Sequence, residues 1–310
     1  MTGGKVSFVV PAYNSERTIG KCIESVLSQD VGKEVIVVDD GSSDGTPGII
    51  RGFGRKVEFI GQKNAGPASA RNAGLRKANG KFVAFVDADV SLPRDWAKNA
   101  ISLMQKRKAS AVGGPGVSPE KNAVAQSLNL LLYGKSGQKD AYVNSLATMD
   151  VMYRRDALAG MEFDTSFTSS SGEDPDLNFR LVKKGHRLLY SPGLWVHHDH
   201  PTTLGGIMRK WYKYGKHYPL LYAKHRELRG KEYYARISYV PLFIVLVALW
   251  PMSIAFPALA LLQVAALFVS YLSLGAQAGA GKDLFTFAFI HTAKQLAQLL
   301  GTFVGLRKLL

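Results

Sequence analysis

The chain has 310 residues, 46% of them hydrophobic, and a formal net charge of +15. That length carries one large folded body or two small ones, and so much apolar content excludes a disordered chain, because burial can offset the entropy of ordering. A single cysteine, Cys22, excludes an internal disulfide framework and fits a reducing compartment.

The opening residues MTGGK pass straight into a short apolar run, without the apolar core of a secretory leader, so no cleaved signal peptide is expected. KVSFVV (5–10) reads as a strand. Ser15 to Gln29 reads as an amphipathic helix with Ile19, Cys22, Ile23, Val26 and Leu27 at helical spacing, which makes Cys22 an inert thiol on the apolar face. EVIVV (34–38) and VEFI (57–60) are further strands. Pro67 suits the first turn of a helix over 68–78, and KFVAFV (81–86) is too continuously apolar for an edge strand. Pro93 opens another helix through Met104. Strands alternating with helices predict a sheet with helices on both faces and ligands held outside the carboxyl ends of the strands.

From Ser110 to Ser171 the pattern weakens: a Gly/Pro stretch (GGPGVSPE), one helix over 122–133, and a strand near 150–153. This is where a second substrate would be accommodated. Glu173 to Lys184 reads as a helix ended by Gly185, followed by the strand HRLLY. Ile237 to Leu274 is too long for one membrane span and long enough for two, with Trp250-Pro251 or Phe256-Pro257 at the turn. Residues 284–304 carry His291, Lys294, Gln295 and Gln298, and their reading stays open between a third span and an interfacial amphipathic helix.

The charge is unevenly placed. Residues 1–204 hold 26 Lys+Arg against 21 Asp+Glu, whereas 205–310 hold 13 against 3. Nine of those 13 lie between Arg209 and Arg236, and no charged residue follows until Lys282. A basic segment abutting an apolar one fits a cytoplasmic membrane surface with anionic headgroups better than nucleic acid, the alternative being a soluble protein with a basic rim.

The stretch VDADV (86–90) sets Asp87 and Asp89 at the end of a buried strand, where two carboxylates repel unless a cation or water separates them. Magnesium is commonly held by one or two carboxylates plus substrate phosphates, although D-x-D alone is a weak signal. Four more stretches accompany it: VVPAYNS (9–15), VVDDGSSDGT (37–46), NAGPASARNAG (64–74) and GEDPDLNFRL (172–181). In this order the five resemble the family 2 glycosyltransferases over about residues 5–215. The resemblance implies an α/β GT-A fold, Rossmann-like with a mixed, mostly parallel sheet, here followed by a C-terminal transmembrane helical hairpin. The corresponding segments are a catalytic domain at 1–205, a basic juxtamembrane segment at 206–236, the hairpin at 237–281, and the last helix at 282–310.

The resemblance also implies roles. Pro11, Tyr13 and Asp39 would line the base and ribose pocket of a UDP- or GDP-sugar with Asp40 nearby; Arg71 would lie near the nucleotide, and Asp87 would face the ribose or sugar. Asp89 would bind Mg²⁺ or Mn²⁺ bridging the diphosphate, with His198 of WVHHDHP as a second ligand; His197 and His200 would be pocket wall or surface. Asp174 would be the general base, with Glu173 its neighbour, while Asp176 is accounted for by the helix dipole alone. Processive synthases of the family carry Gln-x-x-Arg-Trp where this chain has Ile207, Lys210 and Trp211, which argues against a polymerising synthase. Trp211, with Arg209 and Tyr214, would still contact diphosphate or lipid phosphate, or else form a solvated basic face on the membrane.

The expected protein is therefore an inverting, metal-dependent, multi-pass membrane glycosyltransferase. Its catalytic domain would lie on the cytoplasmic side and its acceptor would be a lipid-linked glycan. Transfer to polyprenyl phosphate, or a non-catalytic nucleotide-binding membrane subunit, are the alternatives; a homo-oligomer is left open.

Overall fold

The computed structural model describes residues 4–133, 139–168, 171–225 and 257–307. They divide into two compact units, one of Met1–Pro119 and Gly137–Asp199, the other of Glu120–Ser136 and His200–Leu310.

The first unit is built on an eight-stranded sheet. Its strands are β1 (Val6–Ala12), β2 (Lys33–Asp39), β3 (Glu58–Gly61), β4 (Phe82–Val86), β6 (Ala111–Gly113), β8 (Ala141–Val143), β9 (Asp150–Arg154) and β10 (Leu188–Tyr190), in the order β3-β2-β1-β4-β9-β6-β10-β8. The first four in that order are mutually parallel, and β9 runs antiparallel to both its neighbours, β4 and β6. The sheet is thus mixed, with its Val- and Ile-rich strands in the middle, as continuous apolar runs require. A second sheet of three very short strands, β5 (Val90–Ser91), β7 (Gly116–Val117) and β11 (Val196–His198), is ordered β5-β11-β7.

Alternation along each strand sends side chains to opposite faces. From β1, Phe8 and Val10 join one core with Ile19, Ile23 and Trp96, while Val9 joins the other with Ala68, Ala70 and Leu177. The first core is covered by α1 (Ile19–Leu27), α2 (Thr46–Gly52) and α4 (Trp96–Arg107), the second by α3 (Pro67–Lys77) and α6 (Glu173–Lys183). Pro67 occupies the first turn of α3, where its missing N–H costs nothing. Cys22 is buried and donates through Sγ to the Asp87 carbonyl at 3.4 Å, and burial pushes its thiol pKa up, which makes it unreactive.

The second unit is helical: α5 (Ala123–Tyr133), α7 (Leu204–Lys224), α8 (Pro257–Ala278) and α9 (Leu284–Leu306). Residues 120–136 fall inside the stretch read from sequence as one catalytic domain, yet they cluster with these helices. The reason is packing: Leu128 of α5 meets Ile207 and Ile290, and Leu130 and Leu131 pack on the Leu267–Phe287 cluster. α7 and α9 lie side by side in the same direction, Ile207 near Ile290 and Trp211 near Lys294. Their backbones approach so closely that a Cβ on Gly301 would sit 2.0 Å from the Tyr212 carbonyl oxygen. Of the expected hairpin, 237–256 lies outside the described residues. α8 starts at Pro257, and its Leu261–Ala278 stretch is long and apolar enough to cross a membrane, the one such helix among the described residues.

Candidate active site

The carboxyl ends of β1, β2 and β4 and the start of α6 carry most of the sequence-predicted residues; Arg71 lies on α3, His198 on β11 and Trp211 on α7. At the end of β1, Pro11 is half-buried and Tyr13 is exposed. Asp39 closes β2; its Oδ2 accepts from the Ser42 amide at 3.4 Å, and its Oδ1 is buried without a partner, an acceptor suited to a ligand N–H. Asp40 is differently employed. Its Oδ1 accepts from Gln62 Nε2 at 2.7 Å and from the Ala65 amide at 2.9 Å, and its Oδ2 from the Gly66 amide at 2.9 Å. It therefore holds the loop that leads into α3, with both oxygens engaged.

Arg71 is the buried hub of the site. Its Nη2 donates to Asp87 Oδ1 at 2.8 Å and its Nη1 to Glu173 Oε1 at 2.7 Å, while the Phe163 ring centroid lies 5.7 Å from its Cζ. One guanidinium thus ties α3 to the tip of β4 and the first turn of α6. Burial disfavours its charge, but Asp87 and then Glu173 outweigh that and raise its pKa. Removing such a cation leaves Glu173 buried without compensation. Arg71→Met is expected to cost about 3–5 kcal/mol in denaturant unfolding, and Glu173→Gln in the same chain should restore part of the loss. Additive effects of the two changes would show that the pair does not act as a unit.

Asp174 follows Glu173 at the start of α6. Burial, and then the neighbouring Glu173, push its pKa up to about 8, against the pull of Arg71. Its position depends on Gly172, which stands at φ +103° just before the helix, with an added Cβ only 2.6 Å from Phe167 ring carbons. Gly172→Ala is therefore expected to cost about 1–3 kcal/mol and to displace Asp174. A melting temperature and turnover equal to wild type would contradict this. Asp176 is also in the first turn, and its Oδ2 accepts from Arg180 Nε at 2.9 Å.

Asp89 lies in the turn between β4 and β5, its side chain 42% exposed. The register of the small sheet sets His198 opposite Val90, and His198 Nε2 comes within 3.4 Å of Asp89 Oδ2. Trp96 steadies the approach to β11 by donating from Nε1 to the Leu194 carbonyl at 3.1 Å. A carboxylate that reaches solvent beside a buried imidazole nitrogen fits a divalent cation such as Mn²⁺. Among the described residues no group of three or more His, Cys, Asp or Glu side chains could cage a metal alone, so phosphate and water would complete the shell. His197 is exposed against Trp195. Trp211 and His200 belong to the helical unit, where the Trp211 ring centroid lies 5.0 Å from Lys294 Nζ.

Sequence reasoning passed over Asp150. It begins β9 opposite Val86, is buried, accepts through Oδ2 from the Gly114 amide at 3.0 Å and leaves Oδ1 unpartnered. Burial holds its pKa well above the carboxylate range. An acid opening an otherwise apolar strand was the available signal.

Residues 7–159 match the family described as glycosyl transferase family 2. This stretch is a family 2 glycosyltransferase domain. The chain is 33% identical over 233 residues to a pre-mycofactocin glycosyltransferase of Mycobacterium tuberculosis, covering 69% of this chain and 47% of that protein. The chain thus spans about half the length of that relative. To the glycosyltransferase AglE of Haloferax volcanii it is 28% identical, over 68% of this chain and 72% of the other. Among solved structures, a mannosyltransferase of Pyrobaculum calidifontis in complex with GDP-Man and Mn²⁺ superposes with a TM-score of 0.64 at 21% identity, covering 98% of this chain and 88% of that one. TarS residues 1–349 of S. aureus in complex with UDP superpose with a TM-score of 0.52 at 18% identity, covering 98% and 92%. These likenesses establish the GT-A fold of this chain.

Proposed function

We propose that this family 2 glycosyltransferase moves a sugar, with inversion, from a UDP- or GDP-sugar to a hydroxyl of a lipid-linked glycan, in a divalent-metal-dependent reaction at the cytoplasmic face of a membrane. The product would serve a cell-surface polysaccharide or glycoconjugate. The observation that carries the reading is the placement, within one unit, of the Asp89–His198 pair at the end of β4 and Asp174 at the start of α6, with Arg71 joining Asp87 to Glu173. The neighbours bound to GDP-Man with Mn²⁺ and to UDP support the ligand class.

In this reading Asp39 and Tyr13 receive the base and ribose, Pro11 lines the same pocket, and Asp87, held by Arg71, faces the donor sugar. Asp89 and His198 would hold the cation, which supplies charge stabilisation to the departing diphosphate. Asp174 takes the proton of the acceptor hydroxyl as its oxygen bonds to the sugar C1; the C1–O bond to phosphate breaks and its electron pair leaves with the nucleoside diphosphate. A base with a pKa near the working pH combines a useful ionised fraction with a strong pull on that proton. The metal pair and the base together favour catalysis over a purely structural nucleotide-binding role.

Membranes containing the protein, incubated with labelled UDP- and GDP-sugars and Mn²⁺, are expected to pass label from one donor into the organic-extractable lipid fraction. Chelator should stop it. Label in no lipid product with any donor would overturn the reading.

A further inference from the structure

α9 contains one formally charged side chain, Lys294, and α8 contains none. Lys294 is 4% exposed. Its ammonium lies 5.0 Å from the ring centroid of Trp211 on α7 and 5.9 Å from that of Tyr271 on α8, and Tyr271 in turn donates to Gln295 Oε1 at 3.1 Å. Among the described residues no carboxylate pairs with it. The nearest acid in sequence, Asp283, precedes it by eleven residues, roughly 16 Å along the helix. Aromatic faces attract a cation but leave its charge uncancelled, and a buried charge is costly without a counter-ion.

The surroundings restrict the counter-ion. The same two helices expose Leu261, Leu262, Val269, Phe285, Phe289 and Leu300, an apolar surface suited to lipid. α7, against which Lys294 packs, carries Arg209, Lys210 and Lys213 around Trp211, the charge pattern of a helix at the headgroup level. α9 runs beside it, so Lys294 is level with those basic residues. An interfacial placement of α9 follows more readily than a third span.

We infer that Lys294, framed by Trp211 and Tyr271, binds the phosphate of a lipid substrate, namely the acceptor's prenyl phosphate or diphosphate. The inference rests on the proposed transfer to a lipid-linked acceptor and identifies where its anionic end is held. Lys294 Nζ supplies the charge, and the two aromatic rings give the first isoprene unit an apolar wall.

The test uses the full chain in detergent micelles, titrated with farnesyl phosphate, farnesol, inorganic phosphate and dioleoylphosphatidylglycerol. Farnesyl phosphate is expected to bind at least tenfold more tightly than farnesol or inorganic phosphate. Lys294→Met should weaken it tenfold or more and Lys294→Arg by less than threefold, all three chains melting cooperatively. Equal binding of farnesyl phosphate to the Lys294→Met chain, or equal affinity for farnesol, would overturn the site. Displacement of farnesyl phosphate by equimolar phosphatidylglycerol would reassign it to bilayer headgroups and overturn the acceptor role. Lys294-dependent farnesyl phosphate binding in a chain that transfers sugar from no donor would sink the proposed reaction and leave the phosphate site standing.

Discussion

Replacing Asp174 by Asn is expected to lower kcat by about 10²–10⁴-fold with the donor KM nearly unchanged, the range for losing a positioned general base. Asn keeps the size of the side chain and cannot accept the hydroxyl proton. The pH dependence is a second signature. With its pKa raised to about 8 by burial and Glu173, Asp174 is mostly protonated at neutral pH in the free enzyme, so kcat/KM in the wild type should rise with pH and level off above that value. Stability moves the other way. A carboxyl whose folded pKa lies above its unfolded value near 4 contributes stability that is fully present below pH 4 and is lost as pH rises through 8. Asp174→Asn should therefore melt a few degrees higher than wild type at pH 9 and at about the same temperature at pH 4. A variant that melts as wild type at both pH values, or retains its turnover, would remove Asp174 from the mechanism.

Asp89→Ala should be as damaging for a different reason. It deletes one of the two side chains that would hold the cation, and the charge developing on the diphosphate then lacks its main stabiliser. A loss of about 10²-fold or more in kcat/KM is expected, by analogy with removing one electrostatic stabiliser of a developing oxyanion. His198→Ala should lose less, since an imidazole contributes no negative charge to the pair. Turnover by Asp89→Ala that stays insensitive to Mn²⁺ concentration and equal to wild type would contradict this assignment.

Much of the fold was legible because the strands announce themselves. FVAFV and VIVV are too apolar for anything but buried strands, Pro67 marks a helix start, and Gly185, at φ +85°, marks a helix end. β5, β7 and β11 were harder: two or three residues show no periodicity, and the partnership of His198 with Asp89 comes from a register between segments more than a hundred residues apart. Arg71 illustrates the same limit. Its sequence neighbourhood is a helix of small residues, and its two carboxylate partners lie 16 and 102 positions away. Asp40 and Asp39 are adjacent and look alike in sequence; only the loop geometry separates a carboxylate with both oxygens engaged by the chain from one with an oxygen to offer. α5 was recognised as a helix, but its membership of the helical unit depends on which apolar face finds Ile207 and Ile290.

The central claim is that the end of β4 carries a cation site completed by the donor's diphosphate. Electron paramagnetic resonance of Mn²⁺ tests it most directly, with the full chain titrated in the absence and presence of GDP or UDP. Immobilised Mn²⁺ should appear at far lower metal concentration when one of the nucleotides is present, and this enhancement should vanish in Asp89→Ala. An unchanged spectrum on adding either nucleotide, or the same enhancement in Asp89→Ala, would contradict the account.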